Sequence, residues 1–216
     1  MTTQTLSPPI RTLADLLDRL GGVPLDRIRF HPWPGSATLQ DVIDVEQRED
    51  ILCELVEGVL LEKCMGINES SIGMYLGGLL AEFVRLRNLG IVTGEAGAVE
   101  LMPDLVRIPD ICFIDWDRLP GRRRSTSRVP RLAPNLAIEI LSRSNTPGEM
   151  ARKRRDYFGA GVELVWEIDP EDRSVVDYTS AGATALGPAD SLDGGTVLPG
   201  FTLAVAELFA ELDRAG

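Results

Sequence analysis

The sequence predicts an α/β fold: a mixed β-sheet with helices packed on its faces. Three observations carry this expectation. Leu136-Ala-Ile-Glu-Ile-Leu141 is a nearly continuous apolar run of strand length, the mark of a strand buried on both faces. Ile72, Leu76, Leu79, Leu80 and Phe83 recur at helical spacing in a segment closed by Leu89-Gly90. Thr146-Pro-Gly-Glu149 opens another helix soon after the central strand, and a further strand follows it.

In chain order, residues 1–9 read as disordered. Leu13, Leu16, Leu17 and Leu20 have helical spacing, and Gly21-Gly22 ends that helix. Residues 23–37 form a Pro- and Gly-punctuated connector, and Thr38 to Arg48 adds a short helix. Residues 1–50 are therefore expected to be an N-terminal extension, with 51–216 as the main domain. Strands at 51–57 and 59–64 turn at Glu57-Gly58, and a helix runs from about Asn68 to Asn88. Short strands follow near 91–94, 97–101, 105–108 and 110–115. An Arg-, Pro- and Ser-rich loop spans 117–134, and the central strand is 135–141. The next helix has Thr146 as N-cap, Pro147 in its first position and Glu149 placed for a capping box, and it ends near Gly159. Strands at 162–169 and 173–179, then near 183–187 and 196–198, precede a helix from about Val205.

With 216 residues, 44% of them hydrophobic and 25% charged, the chain is ordinary globular material with enough length for a real core. No apolar stretch approaches the roughly 20 residues needed to span a bilayer, and the N-terminus lacks the pattern of a signal peptide. Cys53, Cys64 and Cys112 have no metal-type spacing and lie in apolar contexts, so they read as reduced, buried thiols in a cytoplasmic protein. His31 is the only histidine, which leaves carboxylates, lysines, hydroxyls or a hard metal ion to carry any catalysis.

The net charge of −11 argues against general nucleic-acid binding, but its distribution is uneven. Between Arg118 and Arg155, eleven basic residues face only Glu139 and Glu149, a net of +9 against −20 for the remainder. This strip reads as a phosphate-facing surface, as a solvated arginine-rich loop at 118–131, or as a contact with an acidic patch on another subunit. Arg122, Arg123, Arg124 and Arg152 are its nucleic-acid-binding candidates.

Asp110 opens the apolar run Ile-Cys-Phe-Ile after Pro109 and shares a strand face with Cys112 and Ile114. It is either a turn residue at a strand start or a functional acid. A carboxylate inside a buried strand, as Glu139 is, needs a cation, a lysine or a proton unless it reaches solvent at the strand end. Lys153 shares a helical stripe with Met150 and Tyr157, so it is aimed at the sheet or snorkels past it. Glu69 points inward in the first turn of its helix, where it stabilises the helix dipole or joins the site. Glu54 and Glu57 flank the first hairpin, with Glu54 in an apolar strand. Phosphodiester hydrolysis needs an activated water and stabilised phosphate charge. Mg²⁺ takes one or two carboxylates and keeps several waters, and a lysine beside it neutralises developing charge. Asp110, Glu139 and Lys153 form that minimum set.

These residues resemble the Uma-two-type restriction-endonuclease family of the PD-(D/E)XK nuclease superfamily. The matching stretches are Glu54-Leu-Val-Glu-Gly58, Arg107-Ile-Pro-Asp-Ile111, Ala133-Pro-Asn-Leu-Ala-Ile-Glu-Ile-Leu-Ser142, Lys153-Arg-Arg-Asp-Tyr157 and Gly161-Val-Glu-Leu-Val-Trp-Glu-Ile-Asp-Pro170. The resemblance implies a restriction-endonuclease-like core, a mixed central sheet flanked by helices. It implies Asp110 and Glu139 as ligands for Mg²⁺ (Mn²⁺ as a substitute), and Glu69 as a first-helix catalytic acid. It further implies DNA as substrate and a homodimer. The usual superfamily lysine would fall at Leu141, so its place passes to Lys153, and the histidine common near the first-helix start is replaced by Asn68-Glu69-Ser70. The expected function is a metal-dependent DNA endonuclease. The alternative is a non-catalytic nucleic-acid-binding or interaction protein that keeps the fold. A small-molecule hydrolase is poorly supported, because the sequence has no nucleophile elbow, no phosphate-cradling glycine loop and no histidine near the acids.

Overall fold

The computed structural model describes residues 10–213; residues 1–9, expected to be disordered, lie outside the described residues. The segment opens with α1 (Leu13–Leu20) and α2 (Leu39–Glu49). Each starts with a threonine whose reciprocal capping box is closed by an aspartate three residues on, Thr12 with Asp15 and Thr38 with Asp41. The next elements are β1 (Cys53–Val56), β2 (Val59–Glu62), α3 (Ile67–Arg87) and β3 (Gly90–Thr93). They are followed by β4 (Val99–Met102), β5 (Leu105–Arg107), β6 (Ile111–Asp115), β7 (Leu136–Ile140) and α4 (Pro147–Ala160). The chain closes with β8 (Leu164–Asp169), β9 (Ser174–Thr179), β10 (Gly182–Leu186), β11 (Ser191–Asp193), β12 (Thr202–Ala204) and α5 (Val205–Ala210).

The central sheet has six strands in the order β10-β9-β8-β7-β6-β3. It is mixed, because β7 and β8 run parallel while the other neighbours are antiparallel. The parallel pair needs a crossover, and α4 supplies it. A second sheet, β2-β1-β5-β4, lies against the same domain. A strand near 196–198 was expected; the strands instead flank that segment as the β11–β12 hairpin, because Gly194-Gly195 and Pro199-Gly200 place the turn there. Leu198 nevertheless reaches the core from the turn.

The two faces of the central sheet bury different partners. Ile138, Ile140, Trp166 and Ile168 pack against Ile72, Leu76 and Leu80 of α3, together with Phe201 and Leu208. Ala137 and Val165, one residue out of phase, pack on the opposite face with Tyr157 of α4, Leu16 and Leu20 of α1, and Val56 and Val59. Residues of the N-terminal segment therefore share a core with the sheet. A further cluster joins Val42 and Val45 of α2 to Leu55, Leu60 and Val106.

The start of α4 is tied to the end of α1. Thr146 caps α4 by accepting from the Glu149 amide at 3.1 Å and donates its hydroxyl to the Gly21 carbonyl at 2.6 Å. The other half of the expected capping box does not form. Glu149 is buried and pairs with Arg27 at 2.9 Å, so a charge arriving from the connector outcompetes the local cap. Gly21 and Gly148 meet backbone to backbone: a Cβ on Gly148 would come within 2.5 Å of the Gly21 carbonyl oxygen. Gly148→Ala is therefore expected to destabilise the fold by about 1–3 kcal/mol through overpacking, read as a lowered urea midpoint.

Candidate active site

The antiparallel register of β6 with β7 sets Ile111 opposite Ile138, and one step further it sets Asp110 opposite Glu139. The Asp110 amide donates to the Ile138 carbonyl at 3.0 Å, and the Ile140 amide donates to Asp110 Oδ2 at 2.6 Å. Two expected acids thus stand side by side on neighbouring strands, 6% and 4% exposed. Lys153 comes from the buried stripe of α4 that also carries Met150 and Tyr157, as the helical spacing predicts. Its Nζ donates to Glu139 Oε2 at 2.8 Å and lies 3.2 Å from Glu54 Oε1. The Tyr157 hydroxyl donates to Glu139 Oε1.

The smaller sheet completes the cluster. Glu54 of β1 accepts from Arg107 Nη1 at 2.7 Å and from the Ile108 amide at 3.2 Å. Arg107 of β5 also donates from Nε to Asp156 at 3.1 Å. Lys63, just beyond β2, donates to the Ile108 carbonyl at 2.6 Å and meets Asp110 Oδ1 at 2.8 Å. Glu69 lines the same cavity with its carboxylate folded back against Gly66, the residue before α3, which is the geometry of a first-turn acid.

Four carboxylates (Glu54, Glu69, Asp110 and Glu139) line the central cavity with three cations (Arg27, Lys63 and Lys153), leaving one negative charge in excess. Burial raises the pKa of Glu139, and repulsion from Asp110 and Glu54 adds to it against the pull of Lys153. Burial alone would raise Glu54 too, but Lys153 and Arg107 outweigh it and hold Glu54 below the usual carboxylate range. Burial opposes the charge of Lys153, yet Glu139 and Glu54 keep it protonated. Tyr157 stays a phenol, its pKa pushed up by burial and by Glu139.

A cavity of about 20 Å³ sits among Lys63, Glu69, Asp110, Glu139 and Lys153, room for one water or ion. It lies between two open clefts. One, of about 550 Å³, runs past Asn68, Ser142 and Arg143; the other, of about 710 Å³, runs along Gly73 and Gly77 of α3 to Asp110. Met65 borders all three spaces. Among the described residues, no three Asp, Glu, Cys or His side chains enclose a metal ion by themselves. The donor set fits Mg²⁺ even so: two adjacent carboxylates, surplus negative charge and a polar cavity suit a hard cation that takes its other ligands from water and phosphate.

Several expected roles are redirected. Arg152 does not face the cavity; its guanidinium binds the Arg19 carbonyl and Glu57, bracing α4 against α1 and the β1–β2 turn. Arg122 pairs with Asp117 on the surface, and Arg123 and Arg124 are exposed with no ion pair among the described residues. Most of the basic strip is neutralised by acids from elsewhere in the chain, including Arg118 by Glu163, Arg128 by Glu46, Arg131 by Glu100 and Arg154 by Glu167. Cys64 is exposed at the cavity rim, not buried as its apolar neighbours suggested, because it falls in the turn between β2 and α3. Cys53 and Cys112 are buried, and desolvation raises their thiols to about 12 and about 11. Sequence reasoning missed Lys63 and Arg107 and left the partner of Glu54 open. Arg107 and Glu54 carried the same signal as Glu139, a charge within an apolar strand, whereas Lys63 stands at a strand end where a solvated lysine is ordinary.

A similar fold occurs in a solved structure described as a "putative nuclease belonging to DUF820" from Anabaena variabilis ATCC 29413. The two superpose with a TM-score of 0.67 at 22% identity, over 74% of this chain and 91% of the other, and so share a fold. Residues 39–206 match the Uma2 family, described as "Putative restriction endonuclease", and the chain belongs to that family. No curated protein matches it. Among the described residues, no helix is long and apolar enough to cross a membrane.

The low pKa of Glu54 means that its ionised form stabilises the fold, fully above its ordinary value of 4.5 and progressively less as pH falls towards its folded value. Glu54→Gln leaves Arg107 and Lys153 short of a counter-charge and is expected to lose about 3–5 kcal/mol at pH 7. Urea titrations should show the gap to wild type shrinking below pH 4.5.

Proposed function

We propose that this protein is a Mg²⁺-dependent DNA endonuclease, with Mn²⁺ able to substitute, that hydrolyses phosphodiester bonds. The observation that carries this reading is the pairing of Asp110 with Glu139 at a lysine-lined cavity of surplus negative charge between two clefts. Asp110 and Glu139 would hold the ion through their carboxylate oxygens. When bound, Mg²⁺ supplies Lewis acidity and lowers the pKa of its water. Tyr157 and Lys153 hold both oxygens of Glu139, fixing its orientation. The Lys153 ammonium neutralises charge that develops on the phosphate beside it. Glu69, at the meeting of cavity and cleft, holds or accepts a proton from water entering there. Arg123 and Arg124, joined by Arg122 when it leaves Asp117, are the contacts assigned to the DNA backbone. Arg152 contributes by bracing α4. A second copy of the chain is the assigned protein partner, since two sites would let both strands of a duplex be cut in one encounter.

One observation favours the non-catalytic alternative: each carboxylate oxygen of Asp110 and Glu139 already has a donor within the protein. Cleavage assays with Mg²⁺ or Mn²⁺ on plasmid and single-stranded DNA separate the two readings. Asp110→Asn is expected to lower the rate by about 10²-fold or more while leaving the melting transition cooperative. An unchanged rate would overturn the metal assignment, and metal-independent binding without cleavage in the wild type would favour the alternative. Arg123→Ala with Arg124→Ala should weaken DNA binding and flatten its salt dependence by a slope of about 2. Unchanged binding would remove that loop from the interface.

A further inference from the structure

We infer that Lys63 is a built-in counter-cation of the candidate metal site, a positioning residue that holds Asp110 in place when no divalent ion is bound and competes with the ion for it. The inference rests on the metal-dependent reading above but concerns a residue that reading does not use.

The geometry is specific. The Lys63 side chain is only 9% exposed, a severe restriction for a lysine at the end of a strand. Its ammonium bridges the Ile108 carbonyl at 2.6 Å and Asp110 Oδ1 at 2.8 Å. The other oxygen, Oδ2, is held by the Ile140 amide, which leaves Oδ1 to Lys63, and both residues line the cavity. Lys153 plays no equivalent part here, because it is bound to Glu139 and Glu54. The site therefore carries one ammonium for each of its two paired acids. A cavity of about 20 Å³ leaves a divalent ion within a few ångströms of the Lys63 charge. At that separation like charges repel strongly in a poorly solvated interior. Binding must displace the ammonium from Oδ1 or work against it.

Lys63 also begins the segment Lys63–Gly66, which links β2 to α3 and includes Cys64 and Met65 at the cavity wall. Its two bonds pin that segment to the start of β6.

Calorimetric titration of Mn²⁺ alone, beside thermal melts with and without Mn²⁺, tests the inference. Lys63→Met removes the charge and keeps the apolar stem. Lys63→Gln also removes the charge but retains a donor for the Ile108 carbonyl, and it serves if the methionine variant folds poorly. Without metal, both variants should melt below wild type, since Asp110 loses its partner. Both should bind Mn²⁺ about tenfold more tightly than wild type or better, and Mn²⁺ should raise their melting temperature by more than it raises that of wild type. Asp110→Asn should abolish the gain in either background. Wild-type binding with no tighter binding in either variant would overturn the role of Lys63 while leaving the metal reading intact. No Mn²⁺ binding by any of the proteins would overturn both.

Discussion

Burial of three carboxylates between two sheets is the constraint around which the molecule is arranged. Glu54, Asp110 and Glu139 lie in a medium where an uncompensated charge is untenable. Each compensating group comes from a different element: Lys63 from beyond β2, Arg107 from β5 and Lys153 from α4. The cluster can form only when both sheets and α4 are assembled. Truncating any one member strands its partners, so the network ties the two sheets and α4 together. Apolar replacement of a buried ion cluster is often neutral or stabilising, so the cluster is weak evidence for stability as such.

The N-terminal segment serves the same centre at one remove. Arg27 leaves the connector to neutralise Glu149 in the first turn of α4, and it also lines the cavity. Thr146, Gly21 and Gly148 fix where that helix begins. Arg152 fixes its outer face on α1. Lys153 is therefore positioned by the anchoring of its helix to the N-terminal segment as well as by Glu139 and Glu54.

Much of this was legible in the sequence. The apolar run 136–140 and the stripes of α3 and α4 located the sheet and its two covering helices, because burial on known faces leaves periodic traces. Asp110, Glu139 and Lys153 were legible because a charge amid apolar neighbours is anomalous whatever the fold. Lys63 was not, since a lysine after a strand looks like any solvated residue until β6 folds across it. The basic strip is less bare than its local count suggests for the converse reason: six of its eleven members find acids outside the strip and remote in sequence, which no local count reveals. The strand expected near 196–198 was misplaced because a buried leucine in a turn imitates one in a strand.

The alternation along β7 has one more consequence. Ile138 and Ile140 face α3, while Ala137 and Glu139 face α4. Shifting β7 by one residue against β6 and β8 would drive Glu139 among Ile72 and Leu76 and set an isoleucine against Lys153. Purely apolar strands tolerate such slips with modest penalty, and the neighbours of Glu139 are apolar enough to permit one. The buried ions thus disfavour every alignment of the central strands but one, with or without a ligand.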